Sequence, residues 1–316
     1  MEWTLTGEQL SALYESIIRE GIWVVLIQFN YGFFDFHVLS EFIQKLVRVG
    51  RKVSVTLHST TDPDPGLYKD KKLKQLYDAF SLCENIFIHS ANDLGNLNNI
   101  DLAENVVLMP QGVYSSRSND FNVKFRSSEF VVASYGFFLP HKGLFELIDA
   151  IHKLRESGFN ISLLMLNAAY DSILSYELIS AARKKITTLG LEGKVSIVSD
   201  FLSDDLSIGL LRNSDLVVYP YQETGESSSA AVRMGLASGV PVAVTPLSIF
   251  DDVRDVVFEL PGTSFHDIAE GIKMIMSRIL NGSVEVSQTL SRAEQWKGDR
   301  YYPILGRRLK EKLLEL

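Results

Sequence analysis

One cysteine in 316 residues, Cys83, has no second cysteine to pair with. Disulfides within the chain and cysteine-rich zinc sites are thereby excluded, and a reducing compartment fits. No apolar run approaches the ~20 residues of a membrane-spanning helix. The opening stretch MEWTLTGEQLSALYESIIREG is acidic and amphipathic and lacks the form of a signal peptide. Positive charge is also short: 31 Lys and Arg stand against 39 Asp and Glu, a formal net charge of −8. Such a chain does not suit nucleic acid, and any anionic ligand has to be held by local groups instead of by the overall field. Repeats and low-complexity segments are missing as well. The expected location is the cytoplasm. The lysines of 69–74 read as a solvated helix face, the alternative being a peripheral contact with the inner face of a membrane.

What is present is a regular alternation of short apolar runs with helical patterns. The runs Ile22–Gln28, Lys52–Leu57, Ile86–His89, Val106–Met109, Phe130–Tyr135, Ile161–Leu166, Lys194–Val198, Leu216–Tyr219 and Val240–Val244 predict strands. Helical periodicity predicts Asp35–Val49, Lys71–Phe80, Gly143–Glu156, Ile173–Leu189 and Asp204–Arg212 between them. Apolar strands separated by helices imply an α/β fold with parallel sheets covered on both faces. The polar stretch Tyr114–Ser128 breaks the pattern. It divides the chain into an N-terminal domain over 1–125 and a C-terminal domain over 126–290, with a helical segment over 291–316 packing back on the first. Ile22–Gln28, IWVVLIQ, has no polar face and belongs inside a sheet with neighbours on both sides. No partner strand precedes it, so self-association or a partner chain is expected to cover that edge.

Chemistry gathers at strand ends. In 214–246 a buried strand runs into Glu223, Gly225, Glu226 and Ser227, Ser228 and Ser229, a helix closed by Gly239, and another strand. Free N–H groups at a helix start attract phosphate, while a carboxylate accepts hydrogen bonds from sugar hydroxyls. That pairing suits a nucleotide sugar. Gly136 to Gly143, GFFLPHKG, follows another strand and places Lys142, read as exposed, at a helix start where it can meet a diphosphate. His58 ends a third strand. Each feature also has a plain structural reading: a solvated lysine, a hydrogen-bonding histidine, a carboxylate favoured by a helix dipole. Their order along the chain carries the functional one. Asp62-Pro63-Asp64 has metal-site spacing but sits in the turn sequence TTDPDPG. His141 has no second ligand at metal spacing, so no metal site is expected.

The segments VVLIQFNYGFF, VSVTLHSTTDPDPG, IFIHSANDL, VVLMPQGV, YGFFLPHKGLFELIDAI, FLSDDLSIGLLRNSDLVVYPY and ESSSAAVRMGLASGVPVAVT resemble, in the same order, those of family 4 retaining glycosyltransferases. These have the GT-B fold, two Rossmann-like domains with parallel sheets facing a cleft, and the resemblance is strongest to bacterial enzymes of surface-polysaccharide assembly. It implies sugar transfer from a nucleotide-sugar substrate to a carbohydrate or lipid-linked acceptor, with no cofactor and no metal. It implies that Glu226 binds donor hydroxyls and that Gly136 and Ser227–Ser229 meet sugar and phosphate. Lys142 is implied to neutralise diphosphate and His58 to approach the transferred sugar. Met234 stands where the family has a second glutamate, and Phe137 where it has an arginine, for which Arg233 is the substitute candidate. The chain reaches its histidine strand after 52 residues, which implies a shortened N-terminal domain. The alternatives are a non-catalytic glycosyltransferase-like subunit that binds a partner chain and, less well matched, a nucleotide-sugar epimerase.

Overall fold

The computed structural model describes residues 5–63, 70–115, 129–170 and 172–315. The chain forms two compact units: one from the described residues of 1–111 with Gly225–Ser228 and residues 303–315, the other from those of 112–224 with 229–302.

The first unit opens with α1 (Gly7–Arg19). The Thr6 hydroxyl accepts from Gln9 N and the Gln9 side chain accepts from Thr6 N, so two N–H groups that a helix start leaves bare are satisfied. Then come β1 (Val24–Phe29), α2 (Phe36–Arg48), β2 (Lys52–Leu57), a 3-10 turn (Leu73–Leu76) running into the single turn α3 (Tyr77–Phe80), β3 (Asn85–Ile88), α4 (Ala91–Asn98) and β4 (Val106–Leu108). The strands lie in the order β1-β2-β3-β4, each pair parallel. Leu39, Ile43 and Leu46 of α2 are spaced four and three apart, one face of a helix, and bury it with Phe29, Val53, Val55 and Leu57. Each such side chain contributes about 1.5–3 kcal/mol relative to exposure. Cys83 lies in this core, where burial pushes its thiol up to about 12.

The sheet ends on β1: the apolar run has no strand on its outer side among the described residues, the open edge that the absence of a preceding strand implies. Its one polar residue, Gln28, is exposed. Lys71–Phe80 was read as one helix, but Lys71 leaves it. Its ammonium donates to the carbonyls of Tyr31 and Phe34, both at 2.8 Å, and so fixes a loop. Lys69, like Asp64, lies outside the described residues; Lys72 and Lys74 are exposed.

The second unit contains β5 (Phe130–Phe137), α5 (Leu144–Glu156), β6 (Ile161–Ala168), α6 (Ile173–Thr188), β7 (Val195–Val198), α7 (Asp204–Leu211), β8 (Leu216–Tyr219), α8 (Ala230–Ser238), β9 (Val242–Val244), β10 (Phe258–Glu259), α9 (Phe265–Leu280) and α10 (Val284–Gly298). A last helix, α11 (Tyr302–Leu314), belongs mostly to the first unit. The sheet order is β10-β9-β8-β5-β6-β7, all parallel. Both faces are covered, as near-continuous apolar strands require. Val132 and Val218 enter the cluster built with α5 and α9, whereas Ala133 and Val217 enter the one built with α8. The two-residue β10 has no counterpart among the strand runs, being too short to show a strand period. The linker expected near 114–128 falls mostly on residues outside those described. No described helix is long and apolar enough to cross a membrane.

Candidate functional site

In the second sheet β5 lies between β6 and β8, so the strand order reverses there. Open parallel sheets bind ligands outside the carboxyl ends of the strands at such a reversal. At the end of β5 the backbone turns through Gly136, at φ +132°, a conformation that L side chains rarely adopt. A 3-10 turn, Pro140–Lys142, follows and ends on Gly143 at φ +65°. A side chain at 143 is excluded twice over: a Cβ there would lie 1.7 Å from the Pro220 carbonyl oxygen. The turn is tied to the loop after β8 by the Gln222 N–H, which donates to the His141 carbonyl at 2.8 Å.

Lys142 was expected to be exposed. It is 8% exposed, and its ammonium lies 3.9 Å from the centre of the Tyr221 ring. The ring face attracts the cation, and Tyr221 is itself buried. A positive charge is thus held close to where β5 and β8 end. It is oriented by packing and not left to solvent.

Ser229 caps α8, accepting from Val232 N at 3.3 Å while its hydroxyl meets that of Tyr221 at 3.2 Å. The Tyr219 hydroxyl donates to the Ala231 carbonyl and accepts from Gly235 N, which pins α8 to β8. Arg233, the substitute candidate, lies inside the packing of α8. It is 2% exposed, it pairs with Asp252, and it donates to the Ser229 carbonyl at 2.6 Å. Its charge is engaged in the packing of α8.

A third feature of this unit has no counterpart in the sequence reading. Phe137 stacks with Phe201, ring centres 5.9 Å apart, and meets Tyr170 edge to face at 5.4 Å. The three rings follow β5, β6 and β7, and all are partly open to solvent. A planar ligand ring has a stacking surface there.

The first unit carries the other candidates. Glu226 is exposed, and Ser227 and Ser228 are buried. The Ser59 hydroxyl donates to the Gly225 carbonyl at 2.7 Å and anchors this short segment. The Ser227 hydroxyl is buried with no hydrogen-bond partner among the described residues. His58 ends β2. Its Nδ1 lies 3.1 Å from Nε2 of His89, and its Nε2 lies 2.8 Å from Oε1 of Gln28. Burial first, and His89 second, push His58 below the ordinary histidine value. Asp62 is occupied structurally, accepting from the Tyr31 hydroxyl at 3.0 Å and from Leu73 N at 2.8 Å. That contact, after burial, raises the Tyr31 hydroxyl far above its usual range.

No protein-family model and no curated protein matches this chain. Solved structures do. A glycosyltransferase from Rickettsia africae shares 16% identity over 98% of this chain and 80% of its own, with TM-score 0.77. Anabaena HepE in complex with UDP shares 17% over 98% and 82%, with TM-score 0.77. Sucrose-phosphate synthase from Thermosynechococcus elongatus shares 13% over 96% and 77%, also with TM-score 0.77. The chain has the GT-B fold. At these identities the likeness fixes the fold and leaves the chemistry to the residues. In this GT-B chain Met234, on α8, is packed into a buried apolar cluster. Phe137 belongs to the aromatic group. Gln28, His89, Tyr221 and Asp252 were not singled out from the sequence. Only His89 had a signal there, as a histidine at the end of a buried strand.

Proposed function

We propose that this chain transfers a sugar from a nucleotide-sugar donor to a carbohydrate or lipid-linked acceptor, with retention and without a metal, in cytoplasmic assembly of surface polysaccharide or another glycoconjugate. The observation that carries the reading is Lys142: a buried ammonium, oriented by Tyr221, at the reversal point of a parallel sheet. Fixed positive charge in a dry setting stabilises a departing nucleoside diphosphate more than the same charge in water. The N–H groups that open α8 add to it. Glu226 is assigned to donor hydroxyls, and Gly136 and Ser227–Ser229 to sugar and phosphate. His58 is assigned to the transferred sugar. The aromatic group Phe137, Tyr170 and Phe201 suits a nucleobase. The bond from the anomeric carbon to the diphosphate oxygen breaks, a bond to the acceptor oxygen forms on the same face, and the acceptor proton leaves with the diphosphate. UDP is the first nucleotide to test, since HepE is seen with UDP and with UDP-glucose. The deciding assay is UDP release from UDP-glucose and related donors in EDTA. Glu226→Ala is expected to abolish transfer and to leave UDP affinity within about twofold, because the carboxylate is assigned to the sugar. Equal loss of both would place it on the nucleotide or in the fold.

A second reading, a glycosyltransferase-like subunit that binds a partner chain, is favoured by β1. Trp23 and Phe29 offer their carbonyls to β2. By the two-residue period of a strand, the main-chain groups of Val24, Leu26 and Gln28 face outward. Beside that edge is a cavity of about 650 Å³ lined by Leu10, Leu13, Val25, Ile27, Phe34 and Phe42 among others. An extended apolar strand from a second chain would continue the ladder and fill the cavity. On this reading the protein is a stable hetero-oligomer or dimer by light scattering, and Leu26→Pro, which removes an outward N–H, makes it monomeric. A wild-type monomer that transfers sugar unaided would eliminate it.

A further inference from the structure

His58 and His89 form one hydrogen-bonded chain whose direction is set at its far end. The acceptor there is the Met109 carbonyl, 3.0 Å from Nδ1 of His89. A carbonyl cannot donate, so Nδ1 of His89 carries a proton. In the neutral ring that leaves Nε2 of His89 as an acceptor, and the atom facing it at 3.1 Å is Nδ1 of His58. Nδ1 of His58 therefore holds the proton of its ring. The two rings are 5.1 Å apart between centres and inclined by 39°, which keeps the nitrogens facing each other. His89 is 6% exposed, so water does not compete for its Nε2.

We propose that His89 is a positioning residue that locks His58 in the Nδ1–H tautomer, with the lone pair of Nε2 turned toward Gln28. The consequence for Gln28 follows directly. Nε2 of His58 and Oε1 of Gln28 would be two acceptors 2.8 Å apart, so with neutral His58 the Gln28 amide is rotated to present its NH2 group. Its oxygen then faces the Thr56 hydroxyl, which lies 3.5 Å from the amide nitrogen in the unrotated form and can donate to it. Burial disfavours a charged His58 ring, in agreement. Gln28 is exposed at the end of an edge strand, so a ligand hydroxyl can take its place. His58 then meets the ligand as a hydrogen-bond acceptor, never as a cation. That role rests on the transferase reading; the tautomer does not.

The test is the ring-nitrogen NMR spectrum of the full chain, with His58 assigned by the signal lost in His58→Gln. The expected result is a protonated Nδ1 and an unprotonated Nε2 on His58 at pH 7. In His89→Leu the lock is gone, and His58 shifts to Nε2–H or to a mixture. In His89→Gln the side-chain oxygen accepts the same proton, and the Nδ1–H form is retained. UDP release is expected to fall about tenfold in kcat/KM in His89→Leu, the worth of one strong hydrogen bond, and to recover in His89→Gln. A wild-type spectrum showing Nε2–H on His58 overturns the proposal, as does an unchanged His58 spectrum in folded His89→Leu. If His89→Leu does not fold, the wild-type and His89→Gln spectra still decide. A locked Nδ1–H form in a protein that binds no nucleotide supports the lock and removes the transferase reading alone.

Discussion

Gly143→Ala is expected to destabilise the second unit severely, for two separable reasons. The residue sits at φ +65°, where an L side chain is strained by about 1–2 kcal/mol. The new methyl would also lie 1.7 Å from the Pro220 carbonyl oxygen, and 2.9 Å from Nε2 of Gln222. The second atom ends a flexible side chain and can move. The first is backbone at the end of β8, so relief means shifting the loop that carries Tyr221. Overpacking of that kind costs about 1–3 kcal/mol, giving about 2–5 kcal/mol in total. A domain of this size loses about 2–4 °C of Tm per kcal/mol. Gly158→Ala is the control: its φ is +87°, but nothing lies within 4 Å of the added atom. It should lose only the conformational part. The assay is thermal and urea unfolding followed by circular dichroism. If the two variants unfold alike, contact with Pro220 is not what requires glycine at 143.

Arg233→Ala leaves Asp252 partly buried without its cation, and a drop of about 3–5 kcal/mol in urea unfolding is expected; a small drop accompanied by lost UDP affinity would return Arg233 to the ligand. His58 predicts a pH dependence. Its folded value is depressed, so the unfolded chain binds the proton more readily, and the contribution is intact above the ordinary histidine value of about 6.5 and lost as pH falls below it. His58→Gln should flatten that part of the stability curve, and unchanged curves would show that another group titrates.

Much of this fold was legible because the pattern of apolar runs is set by burial on both faces of parallel sheets. Leu216–Tyr219 and Lys52–Leu57 are such runs, and their bounds coincide with β8 and β2. Boundaries slipped where apolar residues flank a strand without pairing: Ile22 and Trp23 are exposed, and β1 starts at Val24. That β1 lacks a neighbour on one side was legible, since no strand run precedes it; that a cavity lies beside it was not, since an apolar strand facing a cavity and one facing a neighbour share the same composition. At the site, residue type was legible and orientation was not. Lys142 reads as a solvent-facing cation and Arg233 as the substitute for an arginine at the ligand. Whether a cation is buried over a ring or paired with a carboxylate depends on Tyr221 and Asp252, 79 and 19 positions away in sequence. His58 was found as a strand end, but its partner His89 is 31 residues on and meets it only through the register of β2 with β3.

The most direct test of the central claim is calorimetric titration of UDP into the wild-type chain and into Lys142→Met, which keeps an unbranched stem against Tyr221 and removes the charge. The account predicts binding by the wild type and a loss of about 1.5–3 kcal/mol in the variant, with both proteins melting as folded chains. A wild type that binds no nucleoside diphosphate, or a folded Lys142→Met that binds UDP as tightly as the wild type, would contradict it.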